Sequence, residues 1–220
     1  MSFDLFLTAF IPAFATLLVA IDPPGCVPIF ASLTSQTSRA HQKVMAIRSV
    51  MIATFLLIAF AFVGNPLLGA LGISMDAFRT AGGILLFMIA LDMVFEKRTE
   101  RREHRAEKVA KEAEDKHHPM EEEDISVFPM AMPMLAGPGS IASIVLLMTQ
   151  SQGNWAAQAG VLAALLTVLA ITLVGLIAAG PLLKIMGKTV SAVISRLLGV
   201  ILAALAAQFV FDGIKHAFMG

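Results

Sequence analysis

Charged side chains are scarce in this sequence of 220 residues. Asp, Glu, Lys and Arg make up only 15% of the chain, and hydrophobic residues make up 57%. Charged residues form about 25% of an average soluble domain. No charged residue occurs from residue 125 to residue 183. One crossing of a bilayer takes about 20 apolar residues, so this stretch can cross twice. The composition excludes a water-soluble fold and predicts an all-α membrane protein.

Other residues are missing where they would indicate a different class of protein. Cys26 is the only cysteine, which excludes an intramolecular disulfide. All five histidines fall in predicted loops or near the end of the chain, and no Ser/His/Asp set or phosphate-binding loop is visible. We therefore expect no enzyme activity, no metal site and no cofactor. The net charge of zero predicts no bulk attraction to nucleic acid.

Six apolar segments are long enough to span a bilayer. They cover residues 3–34, 45–64, 77–95, 126–150, 155–179 and 189–214. The first is interrupted at residues 22–25 and the fourth at residues 136–139. The chain accordingly divides into a three-helix half (residues 1–95), a charged loop (96–124) and a second three-helix half (125–220).

Lysine and arginine are concentrated in the loops after spans one, three and five, whereas the opposite side has only Lys215. Because cytoplasmic loops carry an excess of these residues, we expect all three basic loops in the cytoplasm. Both termini would then lie outside, on the periplasmic side of a bacterial-type inner membrane. We interpret the charged loop as a solvated linker, with a regulatory or docking arm as the alternative.

The two halves of the sequence resemble each other. Pro24-Gly25 recurs as Pro138-Gly139, residues 64–68 resemble residues 179–183, and residues 79–85 resemble residues 196–202. Three spans is an odd number, so the second half would enter the membrane from the opposite side. The sequence therefore predicts two inverted repeats, with discontinuous first and fourth helices in matching positions, as in many secondary transporters.

The two interruptions are the predicted substrate site. Proline removes a backbone donor and glycine tolerates unusual dihedral angles, so both segments break a helix where unpaired backbone groups are costly. The helix ends after the breaks would converge near the midplane and bind an anionic group such as a carboxylate. Proline kinks that serve only packing are the alternative. The predicted site residues are Asp22, Pro23, Pro24, Gly25, Cys26, Ala136, Gly137, Pro138, Gly139 and Ser140.

Several charged residues lie within the predicted spans. Asp22 could cap the short helix after the first break, pair with an arginine, or carry a coupling proton. Arg79 and Arg196 occupy related positions and could be gating or structural charges, or could extend to the lipid headgroups. Asp92 and Asp212 lie near the ends of spans three and six, where interfacial placement accounts for them.

The sequence around both breaks resembles a known family. Residues 18–30, LVAIDPPGCVPIF, and residues 133–142, PMLAGPGSIA, resemble the first-helix and fourth-helix signatures of the MarC family. That family includes SnatA-type neutral amino acid transporters and is similar in architecture to LysE-type exporters. The resemblance implies a substrate site at the unwound parts of spans one and four. Cys26 departs from the family pattern, which commonly has asparagine there.

Together these features predict a secondary transporter of small neutral amino acids such as glycine or alanine, with a proton or sodium ion as a possible coupling ion. A channel built from half-helices, or an exporter of another small solute, is the alternative. A membrane scaffold is a third interpretation.

Overall fold

The computed structural model describes residues 2–35, 37–95, 101 and 124–219, and within these ranges all regular secondary structure is helical. The charged loop predicted at residues 96–124 lies almost entirely outside the described residues. The helices are α1 (Ser2–Ile21), α2 (Pro23–Leu33), α3 (Arg39–Ala70), α4 (Met75–Val94), α5 (Ser126–Leu135), α6 (Pro138–Gln150), α7 (Trp155–Ile177) and α8 (Ala179–Met219).

The helices account for the predicted membrane spans. Within the described residues, five candidate spans are long and apolar enough to cross a membrane, and the bent pair of α5 and α6 brings the number to as many as six. Large hydrophobic side chains such as Phe55 and Phe211 are exposed on the outside of the bundle. Such a surface suits lipid rather than water. The prediction of an all-helical protein with several spans is confirmed.

The interruption in the first span is shorter than the predicted segment of residues 22–25. Only Asp22 leaves the helical conformation, at φ 58° and ψ 64°, and α2 begins at Pro23. Proline is tolerated in the first turn of a helix because the backbone N–H that it lacks would have no intrahelical partner there. Pro23 and Pro24 therefore begin a helix, and α1 and α2 together form one apolar segment from Phe3 to Leu33.

The interruption in the fourth span is more extensive. The segment α5 is not one continuous helix, because two of its residues, Phe128 and Met132, have extended backbone, and each precedes a proline. Such residues avoid the helical region because the proline ring crowds them. After Gly137, α6 leaves α5 at an angle of 55°. A Cβ atom at Gly137 would lie 2.4 Å from the Pro133 carbonyl oxygen, so only glycine fits this bend.

The last two spans are joined more tightly than expected. The sequence pattern placed a loop between residues 179 and 189, but α7 ends at Ile177 and α8 begins at Ala179. Lys184 is therefore on a helix rather than in a loop. Nothing in this stretch after Pro181 disfavours helix strongly, so local propensity carries α8 beyond its apolar portion.

Close backbone contacts hold α4 and α8 side by side in antiparallel orientation. A Cβ atom at Gly83 would lie 2.9 Å from the Ala206 carbonyl oxygen, and one at Gly199 would lie 2.8 Å from Met93 Cβ. Small residues let two helices approach in this way inside a membrane. A Cβ atom at Gly82, by contrast, would meet no described residue within 4 Å, so a glycine is not required at this position for the approach of α8.

Candidate functional site

The N-terminus of α2 has no spare hydrogen-bond donor. Its first two positions are Pro23 and Pro24, which have no N–H group. The third is Gly25, whose N–H donates to Asp22 Oδ1 at 3.1 Å. Cys26 N–H donates to the Asp22 carbonyl oxygen at 3.1 Å. The backbone N–H groups at this helix end therefore already have acceptors within the chain, and none is left for an anion.

Helix α8 holds this closed helix end in place. The Ser195 hydroxyl donates to Asp22 Oδ1 at 2.8 Å, and the Ser191 hydroxyl donates to the Pro24 carbonyl oxygen. Asp22 is only 2% exposed. The capping role considered for Asp22 matches the hydrogen bond from the Gly25 N–H.

The N-terminus of α6 is open by comparison. Its N-cap is Gly137, which offers no side chain to accept a hydrogen bond. Pro138 has no N–H, but Gly139 and Ser140 do, and neither has an acceptor among the described residues. The Ser140 hydroxyl is 1% exposed and also has no partner within that part of the chain. Three donors at the positive end of a helix thus have no acceptor among the residues that the structure describes.

These donors border a cavity of about 610 Å³. Its walls are the C-terminal half of α4, the prolines of α5 and the first turn of α6. Gly137, Pro138, Gly139 and Ser140 all line it. Cavities of a few hundred cubic ångströms with mostly apolar walls and a few convergent polar groups are typical of small-molecule sites.

An ion pair forms part of the wall of the same cavity. Asp92, near the C-terminus of α4, lines it together with Arg101. Asp92 Oδ2 accepts from Arg101 Nη1 at 2.5 Å. The Asp92 side chain is 26% exposed and that of Arg101 is 64% exposed. Sequence reasoning placed Asp92 at the membrane interface, and only the fold shows that it shares a cavity with the second break.

The ten predicted site residues do not all share one cavity. The second break supplies four of its lining residues, whereas Ala136 is buried beside it and does not line it. The first break, from Asp22 to Cys26, is packed against α8 and contributes no lining residue to this cavity. The two helix ends are therefore unequal, one closed and one open.

Arg79 and Arg196 lie outside the cavity lining. Arg79 Nη1 is 3.9 Å from Asp76 Oδ1, and Arg79 Nε is buried without a hydrogen-bond partner in the described chain. Arg196 is exposed on the surface of α8. The described residues contain no group of three or more His, Cys, Asp or Glu side chains that could hold a metal ion.

The start of the fourth span is held to α3 by Asp124. Arg48 Nη1 lies 2.8 Å from Asp124 Oδ2, and the Ser126 hydroxyl and N–H both donate to Asp124 Oδ1. Partial burial acts to raise the pKa of Asp124. The two hydrogen bonds from Ser126 and the positive charges of Arg48 and His41 outweigh it, so the pKa lies below its usual value.

Comparison with known proteins agrees with the resemblance seen around the breaks. Residues 7–218 match the family described as "MarC family integral membrane protein". The chain belongs to the MarC family. This MarC family chain is 37% identical over 210 residues to the UPF0056 membrane protein MJ1677 of Methanocaldococcus jannaschii, covering 96% of the chain and 98% of that protein. It is 34% identical over 209 residues to the UPF0056 membrane protein YhcE of Escherichia coli, covering 94% and 92% respectively.

The match extends over both breaks and all candidate spans, so the MarC protein is an integral multi-pass membrane protein with relatives in bacteria and archaea. No solved structure matches it.

Proposed function

We propose that this MarC protein is a secondary transporter of small neutral amino acids such as glycine or alanine. The observation that supports it best is the open N-terminus of α6, where two N–H groups and the buried Ser140 hydroxyl, all without partners among the described residues, border the cavity. A buried polar group without a partner is costly, so a ligand or water is expected to satisfy it. A carboxylate accepts hydrogen bonds from all three donors and is attracted to the helix end.

The arrangement of helices supports the idea that the two halves are inverted repeats. In such a repeat, α1, α2, α3 and α4 correspond to α5, α6, α7 and α8. The contact of α1 with α7 then corresponds to that of α5 with α3, and the contact of α2 with α8 to that of α6 with α4. All four contacts are present. The central pair of α4 and α8 exchanges with itself, and its two helices are antiparallel. An antiparallel central pair is expected of two oppositely oriented halves, whereas two halves of one orientation would have a parallel pair.

In an inverted repeat, alternating access exchanges the conformations of the two halves. One Asp22 carboxylate oxygen accepts from the Gly25 N–H at the start of α2. A substrate carboxylate would accept from the corresponding Gly139 N–H at the start of α6. Span four has Ala136 where span one has Asp22. The substrate carboxylate would therefore bind at the N-terminus of α6, where the chain has no side-chain carboxylate in the position of Asp22. No catalytic step is proposed at either break.

The cavity includes two residues at the end of α4 that leads to the charged middle loop, the half-buried Asp92 and the exposed Phe95. With the basic loops in the cytoplasm, as their charge predicts, this conformation is open to the cytoplasm. The protein would lie in the inner membrane with both termini outside.

A half-helix channel is the competing function, because it too uses helix ends that converge on a solute. Transport by purified protein in proteoliposomes separates the two. Uptake of labelled glycine and alanine should saturate and show counter-flow if the protein is a carrier. Repeating the assay with and without proton or sodium gradients identifies any coupling ion. Flux that rises linearly with concentration, without counter-flow, would favour the channel.

A pair of serines on α6 provides the matched test of the site. Ser140 and Ser143 are both buried, and neither hydroxyl has a hydrogen-bond partner among the described residues, but only Ser140 lines the cavity. Ser140→Ala should raise the KM for glycine roughly 10-fold, since a hydrogen bond to a charged group contributes about 1.5–3 kcal/mol. Ser143→Ala should keep the wild-type KM. Equal kinetics in both variants would remove the α6 terminus from the proposed site.

A further inference from the structure

The two carboxylate oxygens of Asp92 differ in their hydrogen bonds. Oδ2 accepts from Arg101, while Oδ1 makes no hydrogen bond to any residue that the structure describes. Asp92 and Ser140 both line the same cavity, from α4 and α6 respectively. The cavity thus contains unused donors at the α6 end and an unused charged acceptor on α4.

We infer that Asp92 is the binding partner of the substrate ammonium group, so that the cavity recognises the zwitterion of an α-amino acid. This inference rests on the proposed function and names a second residue of the same site. The carboxylate would accept from the Gly139 N–H, the Ser140 N–H and the Ser140 hydroxyl. The ammonium group, which has three donors and no acceptor, would donate to Asp92 Oδ1.

The charges around the cavity favour a ligand with no net charge. Asp92 and Arg101 neutralise each other, and the α6 N-terminus adds a partial positive charge of about half an elementary charge. A cationic ligand would bring its second positive charge against Arg101, and an anionic one would bring its second negative charge against Asp92. A cationic or an anionic ligand therefore lacks part of the Coulomb attraction that a zwitterion gains from Asp92 and from the α6 N-terminus.

The apolar lining explains which side chains would fit. Leu85, Met88 and Ile89 from α4 and Pro133 and Met134 from α5 line the cavity. None of these five side chains is a charged or amide partner for a polar substrate side chain. Ile89 Cδ1 already lies 2.6 Å from the position of a Cβ atom at Gly139, which restricts the space beside the carboxylate. Hydrogen and methyl side chains therefore fit better than larger ones.

Binding of three probes to the purified full-length protein tests the inference. Glycine has both charged groups, glycolate replaces the ammonium group with a hydroxyl, and glycinamide replaces the carboxylate with an amide. Wild type should bind glycine at least about 10-fold more tightly than either analogue. Asp92→Asn should weaken glycine binding by about 10-fold, because the ammonium partner is lost. It should not weaken glycolate binding, because glycolate is an anion and Arg101 would no longer be neutralised.

Asp212→Asn is the matched control, since Asp212 lies near the end of α8 as Asp92 does near the end of α4 but does not line the cavity. It should bind all three probes as wild type does. An Asp92→Asn protein that keeps the wild-type preference for glycine over glycolate would overturn the role of Asp92 and leave the proposed function standing.

If Asp92→Asn does not fold, binding of the three probes to the wild-type protein still tests the inference. Equal affinity of wild type for glycine and glycolate would overturn the inference without any variant. Saturable wild-type binding of glycolate but not glycine would do the same. Wild-type protein that binds none of the probes and transports no amino acid would overturn the proposed function itself, and the inference with it.

Discussion

The Ser195 hydroxyl donates a hydrogen bond of 2.8 Å to the Asp22 carboxyl group, across 173 positions of sequence. It joins the last helix of the chain to the single non-helical residue in the first span. The same Asp22 oxygen accepts from the Gly25 N–H. One side-chain oxygen therefore both caps α2 and fastens α2 to α8, which keeps this helix end closed while the corresponding end of α6 is open.

Removing the Ser195 hydroxyl should destabilise the protein, whereas removing the Ser143 hydroxyl should not. Ser195→Ala leaves Asp22 with one hydrogen-bond donor fewer in a buried place, at a cost of about 1 kcal/mol. The Ser143 hydroxyl is buried with no hydrogen-bond partner in the described chain, so Ser143→Ala loses no bond and removes a desolvated group. Thermal unfolding in detergent would measure both. Equal melting temperatures for the two variants would contradict the contact between α8 and Asp22.

The spans were predictable from the sequence because apolar length alone determines them. The two Pro-Gly breaks were visible for the same local reason. Their unequal structures were also partly encoded, since Pro23-Pro24 after Asp22 leaves no free donor, whereas Gly137-Pro138 leaves two. That difference follows from the first three residues of each short helix. The free donors can be counted, however, only when the first residue of each helix is known.

The partners of the breaks were not predictable, because they come from other helices. Ser191 and Ser195 are four residues apart and share one face of α8, a pattern that indicates a polar contact without naming its target. Asp92 reaches the cavity only because α4 packs against α6. Such contacts depend on the packing of helices that are distant in sequence, which periodicity and composition do not encode.

Labelling of single cysteines should establish the orientation of the termini. In a Cys26→Ser background, Ser2→Cys and Met219→Cys should react with an impermeant thiol reagent added outside intact cells. Ala113→Cys, in the charged loop, should react only after the membrane is permeabilised. The reason is the concentration of lysine and arginine in that loop. Reaction of Ala113→Cys in intact cells would reverse the orientation and make the cavity face outward.

Acid should weaken the attachment of the fourth span to α3. The pKa of Asp124 is lowered in the folded protein. Its contribution to stability is therefore fully present above the unfolded pKa of about 3.9. It is lost as the pH falls through the lower folded value. Asp124→Asn should be slightly less stable than wild type at pH 7, and the difference should vanish in strong acid. The effect is small because both Asp124 and Arg48 are partly exposed. A difference that persists or grows below the folded pKa would contradict the ion pair and hydrogen bonds as its cause.

Alanine at the two Pro-Gly breaks should have different effects, because the two glycines have different neighbours. A Cβ atom at Gly25 would lie 2.2 Å from Asp22 Oδ2, so Gly25→Ala must displace the carboxyl group that caps α2. Loss of a cap costs about 0.5–2 kcal/mol, and the bond from Ser195 would be disturbed as well. Gly25→Ala should therefore lower the melting temperature together with transport. A melting temperature equal to wild type would contradict the capping geometry.

Gly139→Ala meets only the far end of a flexible side chain, Ile89 Cδ1, at 2.6 Å. That methyl group can turn away, and alanine is favoured over glycine in a helix by up to about 1 kcal/mol. Folding should hold, and Gly82→Ala, which places a Cβ atom where no described residue lies within 4 Å, is the control for a glycine replaced in a helix. Transport should fall only in Gly139→Ala, and more for alanine than for glycine, because the new methyl group occupies space beside Ser140. Saturation kinetics like those of wild type, for both substrates, in a stable Gly139→Ala protein would mean that substrate does not bind at the second break.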